Sequence, residues 1–217
     1  MLRRLREPAN GLTHLIGAIL SLVGLPVLIY RGIASGQIRV VVAFIVFGLS
    51  QIALYTASAL YHSVRQSPQG IDRLLRFDCA MVFVLIAGTY TPICLIALHG
   101  GWRWSMLAVI WALAVSGIVA KLYWMDAPIW LSTSAYVLMG WVAVIALPAL
   151  TRALPPDGIV WLFAGGIVYT VGAIVFALDR PSLIPGIFDA HALWHLFVLG
   201  GSFCFFWVII QYVAPLG

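Results

Sequence analysis

The chain has 217 residues, of which 63% are hydrophobic and only 9% charged, whereas a soluble domain carries about 45–50% apolar and about 25% charged residues. With 12 basic and 7 acidic side chains and a mean hydropathy of +1.06, a cytosolic enzyme, a nucleic-acid-binding domain and a disordered chain are all excluded. What remains is a polytopic, all-α membrane protein of a single domain, residues 1–217. The net charge of +5 does not indicate nucleic acid, because the basic residues are scattered singly between apolar stretches.

Seven runs are long enough to cross a bilayer, which takes about 20 mostly apolar residues. Leu12–Tyr30 comes first, behind Arg3, Arg4 and Arg6. It is too long for the apolar part of a leader peptide, and its one small-residue cleavage candidate, Ala34-Ser35-Gly36, lies beyond Arg31, so it is read as a span. Val40–Tyr61 follows and runs into His62. Phe77–Leu98 opens with Asp78. Trp102–Tyr123, Leu131–Leu150 and Ile159–Leu178 come next, and Ala190–Tyr212 opens with His191 and His195. The separators carry charge or turn signals, such as His99-Gly100-Gly101, Asp126-Ala127-Pro128, Pro155-Pro156-Asp157-Gly158 and Arg180-Pro181 to Pro185-Gly186. The lengths suit helices, which satisfy their own backbone in lipid, and not barrel strands.

Pro26, Pro92 and Pro148 are expected to kink the first, third and fifth helices. Gly165, Gly166, Gly172, Gly200 and Gly201 are expected to let helices pack closely. Tryptophans near span ends (Trp102, Trp104, Trp124 and Trp130), together with Tyr123, read as an interfacial belt. Cys79, Cys94 and Cys204 sit in or beside apolar runs at no metal or redox spacing and read as buried thiols.

Lysine and arginine counts set the orientation. With the N-terminus inside, the inner segments hold eight basic residues and the outer segments hold Arg31, Arg39, Arg103 and Arg152. This favours an inner N-terminus and an outer C-terminus, in a cell membrane, read as a bacterial inner membrane.

Ionisable groups at membrane depth are costly and therefore informative. Span order brings His62, Asp78, His191 and His195 to the same, cytoplasmic, face. His191 and His195 are four residues apart, so both rings project from one helix face. That is helical spacing for two imidazoles on one metal, and His62 would be a third, leaving a fourth position for water in the manner of a catalytic zinc. Ser58 shares a helix face with His62, and Asp78 is the nearest acid on a span. The segment His191-Ala192-Leu193-Trp194-His195 has no Glu, so it is not the H-E-x-x-H metalloprotease motif. His14 lies at the same face and reads as a histidine packed against a neighbouring helix. His99 lies in the opposite turn and reads as solvated.

Four stretches together resemble the progestin and adiponectin receptor family, and within it the bacterial hemolysin III-like branch. They are Glu7, Asn10 and Thr13-His14-Leu15-Ile16-Gly17; Ser58 to His62-Ser63; Phe77-Asp78 with Ala87-Gly88-Thr89-Tyr90-Thr91-Pro92; and His191 to His195. The resemblance spans the chain. It implies a seven-helix bundle, zinc held by His62, His191 and His195, Asp78 positioning the water, and Ser58 donating to the reacting group. The wider superfamily contains membrane-embedded zinc amidases, so the expected activity is hydrolysis of a lipid amide or ester. The alternatives are a non-enzymatic lipid-sensing or membrane-homeostasis factor with structural zinc and, third, a haemolytic pore-former. No span carries the polar stripe a pore would need. Copper or nickel would suit three imidazoles by affinity alone. Neither substrate nor oligomeric state follows from the sequence.

Overall fold

The computed structural model describes residues 6–184 and 187–217. Arg3 and Arg4 of the charge count, and Pro185 and Gly186 of the last turn, lie outside the described residues. Apolar runs of this length satisfy their backbone in lipid as helices, and seven form. They are α1 (Pro8–Ala34), α2 (Ile38–Ser63), α3 (Pro68–Ala97), α4 (Gly100–Tyr123), α5 (Ile129–Ala153), α6 (Pro156–Leu178) and α7 (Ala190–Leu216). No β-strand occurs among the described residues; Ile184 and Phe188 form one isolated bridge. The helices outrun the apolar stretches at several ends, most of all in α3. Its first turns, Pro68–Arg76, carry Asp72, Arg73 and Arg76 and are invisible to a hydropathy reading. Asp78 is therefore well inside a helix and not at its start.

α3 is the central helix: 72% of its apolar stretch is buried, against 22% for each of α4, α5 and α6. Around it, α1 packs on α2 and α7, α2 on α3, α3 on α4, and α6 on α7. The outward faces present Leu15, Ile19, Leu20 and Val23 of α1 and Ile167, Val171 and Ile174 of α6, all exposed, as a lipid-facing surface requires. The larger apolar core, with Phe44, Phe47, Ile96, Ile110, Leu150 and Ile209, fills the half of the bundle remote from the histidines.

Two of the three prolines break their helices. After Pro92 the last turn of α3, Ile93–Ala97, is π-helical, and Leu98 N–H reaches back to the Ile93 carbonyl at 3.1 Å. α5 tightens to a 3-10 turn over Val142–Ala146, just before Pro148. Pro148 has no N–H to give, and its ring crowds the carbonyl four residues back. Tyr90 of α3 enters this gap: its hydroxyl donates to the Gly140 carbonyl at 2.6 Å and accepts from Ala143 N–H at 2.7 Å. α1 continues through Pro26 as unbroken α-helix.

Hydrogen bonds also join helices at mid-depth. Tyr55 of α2 donates to Ser202 of α7 at 2.6 Å, and Tyr169 of α6 lies 2.8 Å from the same hydroxyl. Gly17 of α1 lets Tyr55 and Leu199 approach: a Cβ there would sit 2.7 Å from the Tyr55 ring and 2.8 Å from Leu199. Gly17→Ala is expected to destabilise the bundle by about 1–3 kcal/mol, the usual range for overpacking. A lowered melting temperature of the detergent-solubilised variant is the measurement; an unchanged one would mean that the contact relaxes freely.

Candidate metal centre

α7 begins where Asp189 caps it, its carboxylate accepting from Ala192 N–H at 2.8 Å. This start places His191 in the first turn and His195 one turn later on the same face. α2 ends just past His62, with Ser58 one turn earlier. Opposite chain directions bring these two helix ends together. The His62 ring lies 4.8 Å from that of His191 and 5.0 Å from that of His195, and the last two are 4.7 Å apart, with interplanar angles of 72–77°. One nitrogen from each ring falls within 4.8 Å of the others. Three rings in steeply inclined planes, each offering a nitrogen to one point, form a set that can hold a metal ion.

The outer nitrogens are already committed. His62 Nδ1 meets the Glu7 carboxylate at 2.5 Å. His195 Nδ1 meets the Asn10 carbonyl at 3.1 Å and Thr13 Oγ at 3.1 Å. Carboxylate and carbonyl only accept, so both Nδ1 atoms carry the proton and both Nε2 atoms keep a lone pair. His62 is 1% exposed and its Nε2 has no partner. A buried, unpartnered acceptor is destabilising unless something binds it, and a cation suits a lone pair flanked by two other imidazoles. The residues thus fit a metal, with the outer partners that metal-binding histidines ordinarily have.

Glu7 stands just before α1. Its backbone N–H donates to the His62 carbonyl at 2.9 Å, and Arg6 N–H reaches the Ser63 carbonyl at 3.4 Å, so the chain entering α1 satisfies orphan carbonyls at the end of α2. The Arg6 guanidinium lies 4.2 Å from the centre of the Tyr61 ring and 3.1 Å from Glu7. The hydrogen bond from His62 holds the Glu7 carboxyl down at about 2 against the upward push of partial burial. Glu7→Gln keeps the shape and removes the charge. It is expected to weaken metal binding by about 10–100-fold, measured by competition with a chromogenic chelator. An unchanged affinity would show that His62 is oriented by packing alone.

Sequence reading singled out the three histidines but missed Glu7, Asn10 and Thr13 as their supports. A signal was present: polar residues at 7, 10, 13 and 14 recur at helical spacing on one side of an otherwise apolar helix. His14 does pack against a neighbour, as its position suggests, but that neighbour is His195. The two rings stack at 3.6 Å and 12°, and Tyr55 meets His14 edge-on at 5.1 Å. Neither His14 nitrogen has a partner. His99 is exposed in the opposite turn. Cys94 and Cys204 are buried, Cys79 is half-buried, and all three are free thiols.

Asp78 and Ser58 line one apolar cavity of ≈ 220 Å³ together with His14, His191 and His195, and the Ser58 hydroxyl hydrogen-bonds the Asp78 carboxylate. From there the cavity follows α3 past Leu85, Ile86 and Thr89 to Leu98, where Met106 and Leu150 also form its wall.

Residues 2–206 match the family described as haemolysin-III related. The chain belongs to the haemolysin-III family. It is 43% identical over 210 residues to Hemolysin-3 of Bacillus cereus, covering 96% of this chain and 92% of that protein. The Hemolysin-3 homolog of Bacillus subtilis (strain 168) is 40% identical over 206 residues, covering 95% and 93%. More distantly, the human monocyte to macrophage differentiation factor is 24% identical over 209 residues, covering 94% and 83%. Family membership and the seven apolar helices together make this haemolysin-III protein an integral, multi-pass membrane protein.

Proposed function

We propose that this haemolysin-III protein is a zinc-dependent hydrolase of a lipid amide or ester, working within the membrane near its cytoplasmic face. The observation that carries the reading is the buried, unpartnered Nε2 of His62 beside two further imidazoles, those of His191 and His195, which line an apolar cavity that also receives a carboxylate and a hydroxyl. Three neutral ligands from His62, His191 and His195 suit zinc in an open site. Held there, the ion would supply Lewis acidity toward water and a carbonyl oxygen.

The chain's own residues supply the rest. Asp78 accepts a proton from water as the water oxygen bonds to the substrate carbonyl carbon. It returns that proton to the departing amine or alcohol as the carbon–nitrogen or carbon–oxygen bond breaks. Ser58, close to Asp78, donates a hydrogen bond to the carbonyl oxygen as its charge grows. The apolar walls from Leu85 to Leu98 receive an acyl chain and keep bulk water from the site. Those walls also speak against an aqueous pore.

The test is metal content and lipid hydrolysis of the purified full chain, using short fluorescent ceramides and glycerolipid esters in mixed micelles. One zinc per chain with turnover of an amide or ester supports the reading. One zinc per chain with no turnover of either class overturns the hydrolase and leaves a lipid-sensing protein with a structural ion.

A further inference from the structure

At the end of the bundle opposite the histidines, a second cleft of ≈ 330 Å³ lies between the α3–α4 turn and the last turn of α5. Its polar walls are His99 and Arg152, both exposed. Trp102, 41% exposed, lines it as well, with Leu98, Pro148 and Ala149. Beside it, Arg103 is fixed by its Nε–H donating to the Leu98 carbonyl at 3.0 Å.

The charge distribution makes this cleft unusual. Glu7, Asp72, Asp78, Asp126, Asp179 and Asp189 all belong to the histidine end, and there Arg6 pairs with Glu7 and Arg76 with Asp72. The opposite end carries Arg31, Arg39, Arg103 and Arg152, with Asp157 as its single acid. Among the described residues no carboxylate lies within ion-pair distance of Arg152 or Arg103. A guanidinium that lines a cleft at a span end, beside an interfacial tryptophan, has the donor fork that a phosphate matches. Basic pockets between membrane helices can hold anionic lipid headgroups, and a tryptophan at a span end suits the boundary between headgroup and acyl chain.

We propose that this cleft binds the phosphate of an anionic phospholipid headgroup, with Arg152 as its main partner, His99 across the cleft as the second, and Trp102 against the glycerol. The bound lipid ties the end of α5, beyond its 3-10 turn, to the α3–α4 turn. Leu98, which is 2% exposed, belongs to the walls of both this cleft and the histidine cavity, so the two sites share a partition.

The test is native mass spectrometry of the full chain released from nanodiscs of phosphatidylcholine alone or mixed with phosphatidylglycerol. The wild type is expected to retain one phosphatidylglycerol, and Arg152→Gln to retain it roughly tenfold less, the loss appropriate to a charge-assisted hydrogen bond. Arg152→Lys keeps the charge without the fork and should fall between. Both substitutions are exposed, and a circular-dichroism spectrum matching the wild type verifies their fold. Equal retention by wild type and Arg152→Gln, or equal retention of the two lipids by the wild type, overturns the proposal. A third arm adds millimolar glycerol phosphate: if it displaces the lipid outright, the ligand is a soluble phosphate and the lipid assignment falls.

Discussion

Asp78→Asn is expected to leave the metal in place and to lower hydrolysis by about 10²–10⁴-fold, the range of a lost general acid–base group. The amide is nearly isosteric with the carboxylate, so the packing around it is kept. Asp78 is not one of the three groups whose nitrogens converge, so zinc stoichiometry should stay at the wild-type value. Rate is what must suffer, because an amide cannot take the proton that water gives up when it attacks a carbonyl. Ser58 would keep its hydroxyl and its place on the cavity wall but would lose its carboxylate neighbour. Ser58→Ala should therefore fall less far than Asp78→Asn. The measurement is turnover of the substrate found active, with metal content determined on the same preparation. If Asp78→Asn were as fast as the wild type, proton transfer would need another group. If it lost the metal as well, Asp78 would be a support of the centre and not a reactant.

The spans were legible because lipid demands long apolar helices, and charge scarcity made His62, Asp78, His191 and His195 stand out against them. Chain direction and parity then placed all four at one end without any contact information. Less visible was whatever depends on side chains meeting across helices. The start of α3 is hidden because Pro68–Arg76 is charged, although it continues the same helix. The 3-10 turn of α5 depends on Pro148, which the sequence displays, and on Tyr90, whose hydroxyl reaches Gly140 and Ala143 only once α3 and α5 lie side by side. Glu7 precedes the first apolar run and looks like an ordinary interfacial acid. It joins the site only because the chain entering α1 pairs with the end of α2. Likewise, His14 could be placed at the same end as the other three histidines, but its stacking on His195 depends on how α1 is rotated.

His195→Ala is expected to have the larger effect on the metal. Losing an outer partner lowers affinity by about 10–100-fold, and losing a ligand should exceed that, so zinc should disappear from the protein after gel filtration with a mild chelator. His195 is 1% exposed, and its Nδ1 engages Asn10 and Thr13 while its ring covers His14. The alanine variant thus also opens a void and frees the start of α1, and loss of fold could mimic loss of ligand. His195→Gln separates the two: it refills most of the volume and can still donate to the Asn10 carbonyl, but offers no imidazole nitrogen. A glutamine variant that keeps wild-type helicity and elutes as a single species, yet carries no zinc, assigns the loss to ligation. Treating the wild type with a strong chelator should reproduce the same metal-free state and lose hydrolysis in parallel, and restored zinc should recover both. A His195→Gln protein retaining one tightly held zinc would remove His195 from the ligand set and return His14, stacked on it, to consideration.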